Sequence, residues 1–165
     1  LKAFGLREDM IVADLGAGTG FYSVAAAEMV PMGKVYVVEV QKDFLTKIKS
    51  KIKDAHLSNV ETLWGNIEKI GGTKIKDHVV DAVIASNVLF QVEDKDKFIE
   101  EAKRILKPGG RVLLVDFSSM SSPLVNVGTM IPKNKAREMF EQKGFIWQRD
   151  IDAGSTHYGM ILSKP

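Results

Sequence analysis

The sequence predicts a doubly wound α/β domain with a mainly parallel, seven-stranded sheet, an antiparallel C-terminal strand and helices on both faces. Seven short runs are rich in apolar and β-branched residues, at 10–15, 35–40, 60–64, 79–85, 111–117, 145–151 and 158–163. Helical segments separate the first five runs, several of which lack polar alternation, as expected for parallel strands that helices cover on both faces. The last two runs have no helix between them, which introduces an antiparallel strand.

The connecting segments have helical spacing or turn chemistry. A helix of small residues follows the first strand, around residues 24–27. Two longer helices each carry an apolar face, formed by Phe44, Leu45, Ile48 and Ile52 in one and by Phe98, Ile99, Ala102, Ile105 and Leu106 in the other. Lys-Pro-Gly-Gly at 107–110 is predicted to stop the second of these helices before the fifth strand. A last helix over 133–143 ends at Gly144, and the turn-rich residues 152–156 join the final strands.

Composition limits the classes of function. The chain has 165 residues, 45% hydrophobic and 27% charged, which is typical of one globular domain, here residues 1–165. It has no cysteine, which excludes disulfides, zinc–thiolate sites and cysteine nucleophiles, and no metal site is predicted. A net charge of +2 neither demands nor forbids nucleic acid. No apolar run approaches the roughly 18 residues of a membrane span, and without a signal peptide we expect a cytoplasmic protein.

The strongest functional signal is the glycine-rich turn after the first strand. Gly16, Gly18 and Gly20 allow a tight turn and close approach of a ligand to the backbone, and the helix that follows offers free N–H groups. Their spacing matches neither the dinucleotide fingerprint nor the phosphate-binding loop, which also needs a lysine. Asp14 precedes the turn, and its carboxylate suits a ligand with a cationic ammonium group better than a diphosphate. A glycine turn that serves packing alone is the alternative.

Asp-Leu-Gly-Ala-Gly-Thr-Gly at 14–20 resembles the first signature of class I S-adenosylmethionine-dependent methyltransferases, which have a Rossmann-like fold. Four further segments, around residues 39, 65–67, 81–89 and 106–112, resemble the family's later motifs in the same order. The resemblance implies that the seventh strand is antiparallel and lies between the fifth and the sixth. It is strongest to small-molecule methyltransferases of the ubiquinone/menaquinone-biosynthesis type. Relatives usually carry substrate-covering helices before the first strand, so we expect an N-terminal cap to be missing here or the pocket to be open.

The resemblance implies S-adenosylmethionine as cofactor, S-adenosylhomocysteine as product, and a set of binding residues. These are Asp14, Gly16, Ala17, Gly18, Gly20, Glu39, Val40, Asn66, Ile67, Ser86 and Asn87. Asp14 and the glycine turn would hold the methionine portion, Glu39 the ribose, and Asn66 with its neighbours the adenine. The alternatives are a solvent-exposed carboxylate for Glu39 and a turn residue bonded to its own backbone for Asn66. Asn66 also replaces the family's more frequent aspartate, although its amide oxygen can still accept from the adenine amino group.

The acceptor is expected near the ends of the fourth and fifth strands. The predicted substrate pocket consists of Tyr22, Leu89, Phe90 and Phe117. His157 is the first candidate for a catalytic base and Asp116 the second. The alternative for His157 is a histidine in a surface turn, and the alternative for Asp116 is a helix or loop cap. His56 and His78 are predicted to be surface residues.

Residues 118–132 form a connection longer than most, which predicts a lid over the acceptor or, alternatively, a surface loop. Three functions remain open: methyl transfer to a small organic acceptor, methylation of RNA or protein, and non-catalytic binding of S-adenosylmethionine. The first is favoured and a nucleic-acid partner is not, because the sequence shows no clear basic cluster near the expected site. The sequence leaves the acceptor and the oligomeric state open.

Overall fold

The computed structural model describes residues 1–118 and 129–165 and confirms the predicted fold class. The strands are β1 (Ile11–Leu15), β2 (Lys34–Glu39), β3 (Val60–Trp64), β4 (Val80–Ser86), β5 (Leu106–Phe117), β6 (Ile146–Ile151) and β7 (His157–Ser163). The α-helices of the described part are α1 (Phe21–Met29), α2 (Lys42–Asp54), α3 (Lys95–Ile105) and α4 (Lys133–Gln142), and a short 3₁₀ helix covers Lys2–Phe4. In the same part, no helix has the length and apolar character that crossing a membrane requires.

The seven strands of the described residues form one sheet in the order β3-β2-β1-β4-β5-β7-β6. The pairs among β1 to β5 are parallel, whereas β7 pairs antiparallel with both β5 and β6. The predicted antiparallel strand between the fifth and sixth is therefore confirmed. The strand order reverses between β1 and β4, and ligands of open α/β sheets bind at the carboxyl ends of the strands at such a point.

Two hydrophobic cores cover the two faces of the sheet. One contains Phe98 and Ile105 of α3 and Phe140 of α4, and the other contains Ala26 of α1 and Ile48 of α2. Neighbouring strand residues alternate between these cores because successive side chains of a strand point to opposite faces. The central strands are apolar on both faces for this reason.

The start of the fifth strand differs from the prediction. The helix was predicted to include Leu106 and to end at the Pro-Gly-Gly turn, but α3 ends at Ile105 and β5 already begins at Leu106. Leu106 pairs with Val80, and the register then shifts before Arg111 pairs with Ala82. Residues 107–110 thus form an irregularity within the strand. They are held there by hydrogen bonds between Lys164 and the two glycines, Gly109 N to Lys164 O (2.9 Å) and Lys164 N to Gly110 O (2.8 Å).

Candidate active site

Two cavities of similar size border the turn that follows β4. The first, of about 350 Å³, is lined by the segments that follow β1, β2 and β3 together with Val88. The second, of about 330 Å³, is lined by Ser86, Asn87 and residues of α1, β5 and the β6–β7 connection. The β4 turn therefore contributes to both cavities.

The glycine turn forms one wall of the first cavity. The N–H groups of Gly16 and Ala17 donate to Val38 O at 2.9 and 3.3 Å, which fastens the turn to the end of β2. Gly16 has φ +70°, and a Cβ there would meet Val88 at 2.8 Å, so it serves close packing. Gly18, with φ +54°, lines the cavity and has open space where a Cβ would be. A ligand can therefore approach the backbone at Gly18, whereas Gly20 packs on Ile48 instead.

Glu39 lies at the base of the first cavity and ties two of its walls together. Its carboxylate accepts the N–H of Gly18 at 2.9 Å and those of Val40 and Gln41 at 2.8 and 2.9 Å. The residue is only 6% exposed, so the alternative of a solvent-exposed carboxylate is wrong. A carboxylate has about four lone-pair sites, which leaves capacity for a ligand hydroxyl.

Val40, Asn66 and Ile67 line the same cavity beyond Glu39. Asn66 Oδ1 accepts the N–H of Glu68 at 2.8 Å. This is the local turn bond that the sequence analysis gave as the alternative role of Asn66. Phe44, in the first turn of α2, also lines the cavity. Its helical spacing predicts a position on the core face instead, which is why Phe44 was not expected in the site.

Asp14 lies behind the glycine turn and lines neither cavity. It is 2% exposed, and the hydroxyl of Ser23 in α1 donates to its Oδ2 at 2.5 Å. Burial raises the pKa of Asp14 to about 6 although the Ser23 hydrogen bond lowers it, and the negative charge of Glu39 raises it further. Asp14 therefore changes charge near pH 6, above the usual range of aspartate carboxyls. Sequence reasoning missed Ser23, which looked like one of several small residues of α1.

Ser86 ends β4, Asn87 follows it, and both line the second cavity. Asn87 has φ +55°, an uncommon conformation outside glycine, and its N–H donates to Val115 O at 2.8 Å. Its side-chain Oδ1 is buried and has no hydrogen-bond partner among the described residues. An unsatisfied buried acceptor is costly, so this oxygen fits a ligand N–H or O–H.

His157 and Tyr22 come together in the second cavity, although 135 positions separate them in the chain. The ring of His157 lies 4.3 Å from that of Phe117, with an interplanar angle of 34°, and its Nδ1 is 2.8 Å from the hydroxyl of Thr156. Phe117 in turn packs edge-to-face on Phe90 at 5.3 Å. Phe117 and Phe90 thus stand behind the histidine rather than in the described lining. His56 and His78 are exposed and lie outside both cavities.

Asp116 and Leu89 lie elsewhere than predicted. Asp116 is 2% exposed and accepts the N–H groups of Phe117 and Phe90 at 2.8 and 3.3 Å, so it fastens the β4 turn to β5 as a loop cap. Burial raises the pKa of Asp116, while its backbone hydrogen bonds and an electrostatic interaction with His157 lower it. Because Phe117 pairs with His157 and Asp116 with Tyr158, strand alternation puts Asp116 on the opposite face of the sheet from His157. Leu89, predicted for the substrate pocket, is fully buried in the core.

The residues predicted as a lid, 118–132, lie largely outside the described residues, which omit 119–128. Met120 and Leu124, two apolar residues of this predicted lid, belong to the omitted part.

A family profile described as "Methyltransferase domain" matches residues 6–155. The chain belongs to this methyltransferase domain family. The match spans β1 to β6, ends before β7, and contains the glycine turn, Glu39 and the β4 turn.

Curated relatives of this methyltransferase domain include two ubiquinone/menaquinone biosynthesis C-methyltransferases UbiE. The one from Hahella chejuensis is 31% identical over 124 residues, which cover 74% of this chain and 49% of the relative. The one from Pasteurella multocida is 34% identical over 116 residues, which cover 69% of this chain and 42% of the relative. The chain thus spans about half the length of the curated relatives it matches.

Solved structures share the fold closely. A SAM dependent methyltransferase from Aquifex aeolicus superimposes with a TM-score of 0.90 at 28% identity, covering 99% of this chain and 87% of the other. The [4+2]-cyclase SpnF superimposes with a TM-score of 0.84 at 15% identity, covering 97% of this chain and 77% of the other. The second likeness concerns the fold alone, so the reaction has to be argued from the site.

The described residues of the methyltransferase domain fit S-adenosylmethionine, the cofactor that the family implies. The first cavity presents the Glu39 carboxylate, and none of its described lining residues is lysine or arginine, which disfavours a diphosphate. Gly18 leaves room beside the backbone, and Asn87 Oδ1 offers an unsatisfied acceptor to an ammonium group. Glu39 would hold the ribose hydroxyls, while Val40 and Ile67 would enclose the adenine.

Proposed function

We propose that this domain transfers the methyl group of S-adenosylmethionine to a small organic acceptor held in the second cavity. One observation carries the proposal: the turn after β4 borders both cavities, with Val88 on the first and Ser86 and Asn87 on the second. A donor in the first cavity and an acceptor in the second would therefore meet across this turn. Alignment of the two reactants is the main contribution that such a site can make.

The cofactor, when bound, supplies a methyl carbon that is already activated by its positively charged sulfur, so the protein need not activate it. Glu39 and the glycine turn hold the donor in place, and Asn87 Oδ1 accepts from its ammonium group. The apolar side chains of Leu113, Val115 and Ile151 exclude water around the acceptor. These groups raise the effective concentration of the reacting pair without forming covalent bonds to it.

His157 takes the acceptor's proton where the attacking atom carries one. Its Nδ1 is engaged with the Thr156 hydroxyl, so Nε2 is the nitrogen left for the acceptor. The Phe117 ring against the imidazole restricts its orientation. A positioned general base of this kind contributes about 10²–10⁴ in rate.

The lining of the second cavity supports a small acceptor over RNA. None of its described lining residues is lysine or arginine, whereas RNA-binding sites neutralise phosphates with these side chains. Its volume of about 330 Å³ lies at the lower end of the range for small-molecule pockets. The UbiE relatives, named for quinone biosynthesis, agree with a small organic acceptor.

Calorimetric titration with S-adenosylmethionine, S-adenosylhomocysteine and NAD tests the donor half. We expect both sulfur compounds to bind and NAD not to bind, and uptake of NAD alone would overturn the assignment. The acceptor half is tested by incubating the protein with a trideuteromethyl-labelled donor and a fractionated metabolite extract, followed by mass spectrometry. A labelled small molecule supports the proposal, and label found only in RNA or protein contradicts it.

A further inference from the structure

A second binding surface lies beside the adenine end of the cofactor cavity. It is a groove of about 360 Å³ between the end of β3 and the loop that leads to β4, here called the Trp64 groove. Its described lining consists of Val40, Trp64, Gly65, Asn66, Lys69, Ile70, Gly71, Gly72 and Lys74. Val40, Gly65 and Asn66 also line the cofactor cavity, whereas the sequence predicts no role for Trp64 or for residues 69–74.

The groove concentrates exposed apolar surface. Six large hydrophobic side chains are prominently exposed in the described part of the chain, and three of them line this groove. Val40 is 55% exposed, Trp64 52% and Ile70 48%. Exposed apolar residues usually occur singly, and a contiguous patch rimmed by polar groups marks an interaction site.

The charge around this patch is positive. Lys69 and Lys74 line the groove, and the Nζ atoms of Lys42 and Lys74 lie 4.8 and 5.3 Å from the centre of the Trp64 ring. No carboxylate is among the groove's described lining residues, and none of the three lysines forms an ion pair within the described part of the chain. The groove thus combines an apolar floor with cations that have no fixed counter-charge.

The loop that carries Lys69, Ile70 and Lys74 is held rigidly from below. The N–H groups of Gly71 and Thr73 donate to the carboxylate of Glu101 at 2.8 and 3.1 Å, and the Thr73 hydroxyl donates to it at 2.6 Å. Glu101 is fully buried. A buried carboxylate is costly unless it is satisfied in this way.

Lys74 itself has φ +63°, an uncommon conformation for lysine that brings its ammonium group to Trp64. The groove is therefore preorganised, which lowers the entropic cost of binding.

We propose that the Trp64 groove docks a segment of a partner protein that places one apolar side chain against Trp64 and Ile70 and flanks it with acidic residues. Tryptophan is among the residues that most often dominate the energy of protein interfaces, and unpaired lysines at the rim select for negative charge. The aliphatic walls from Val40 and Ile70 favour protein over single-stranded RNA, which binds through several aromatic platforms in series.

A random dodecapeptide phage library selected against the wild-type protein tests this proposal, because it requires no knowledge of the partner. The expected consensus is an aromatic or large aliphatic residue flanked by Asp or Glu. Selection against Lys69→Glu/Lys74→Glu should instead enrich peptides with basic flanks. Both selections are made without cofactor, so their outcome is independent of methyl transfer.

A synthetic consensus peptide is then titrated calorimetrically into each variant. Trp64→Ala and Lys69→Glu/Lys74→Glu should each weaken binding at least about tenfold, whereas Lys49→Glu/Lys53→Glu, which changes exposed lysines of α2, should change it less than about twofold. Circular dichroism melts confirm that each variant is folded. Selected peptides without acidic flanks, affinity unaffected by Trp64→Ala, or tighter binding of a dodecauridylate than of the peptide would each overturn the proposal.

Discussion

The two cavities of this methyltransferase domain meet at one turn but are built in different ways. The described lining of the first comes from short segments directly after four parallel strands, at 16–19, 38–44, 65–68 and 88–92. That of the second combines Leu1, the start of α1, Ser86 and Asn87, two side chains of β5, residues 151–153 and His157. The first is thus assembled from local strand–turn units, and the second from segments that only packing brings together. Outside the shared β4 turn, substitutions in one cavity should therefore leave the binding properties of the other largely intact.

The sharpest test of this independence is His157→Asn. We expect methyl transfer to a proton-bearing acceptor to fall about 10²- to 10⁴-fold, because the general base is lost. Calorimetric affinity for S-adenosylhomocysteine should stay within about twofold of wild type. The matched control is His56→Asn, at an exposed histidine, which should leave both quantities unchanged. A large loss of cofactor affinity in His157→Asn would show that the cavities are not independent.

Glu39→Ala tests the cavity on the other side of the β4 turn. The substitution removes the acceptor of three backbone N–H groups and the carboxylate that faces the cavity. Hydrogen bonds to charged groups are worth about 1.5–3 kcal/mol, so we expect affinity for S-adenosylhomocysteine to fall about 100-fold by calorimetry. Glu28→Ala, at an exposed helix position, serves as control. Unchanged affinity would remove Glu39 from the binding site.

Asp14→Asn tests how the buried carboxyl behind the glycine turn affects the stability of the fold. The pKa of Asp14 rises from 3.8 to about 6 in the fold, so its stabilising contribution is fully present below pH 3.8 and is lost as the pH rises through 6. At pH 8 the ionised carboxyl costs the fold about 3 kcal/mol. We therefore expect Asp14→Asn to raise the free energy of unfolding by about 2 kcal/mol at pH 8, with little gain at pH 4, in urea titrations. A loss of stability at pH 8 would contradict this, and Asp43→Asn, at an exposed position, is the control.

The smallest expected effect is the pH dependence of cofactor affinity. Below pH 6 the Asp14 carboxyl is protonated in the free protein, whereas a nearby ammonium group favours its ionised form. Affinity for S-adenosylhomocysteine should therefore weaken about tenfold between pH 7.5 and pH 5, with proton release on binding at the lower pH. Calorimetry in two buffers of different ionisation enthalpy measures both quantities. The dependence should be absent in Asp14→Asn, and a wild-type affinity that is flat with pH would separate Asp14 from the cofactor.

Local sequence predicted the strands well where hydrophobic pattern and turn chemistry agree. The helix expected between the third and fourth strands is absent, because residues 65–79 form turns and loop. Six of the seven strands lie within one or two residues of their predicted ends, and β5 begins earlier because Leu106 pairs with Val80. For the site, the glycine turn and Glu39 were found because the motif fixes both the backbone conformation and the position at a strand end. Ser23 and Phe44 were missed because nothing in their local pattern separates them from ordinary helix residues.

The sequence by itself determined the parallel sheet, the position of the glycine turn and the residues that follow each strand, because these depend on periodicities and backbone preferences of a few residues. Only the tertiary structure decided that Asp14 lies behind the turn on Ser23, that Asp116 faces away from His157, and that His157 shares a cavity with Tyr22. The physical reason is that side-chain direction and burial depend on strand register and on contacts between remote segments, which no local pattern encodes.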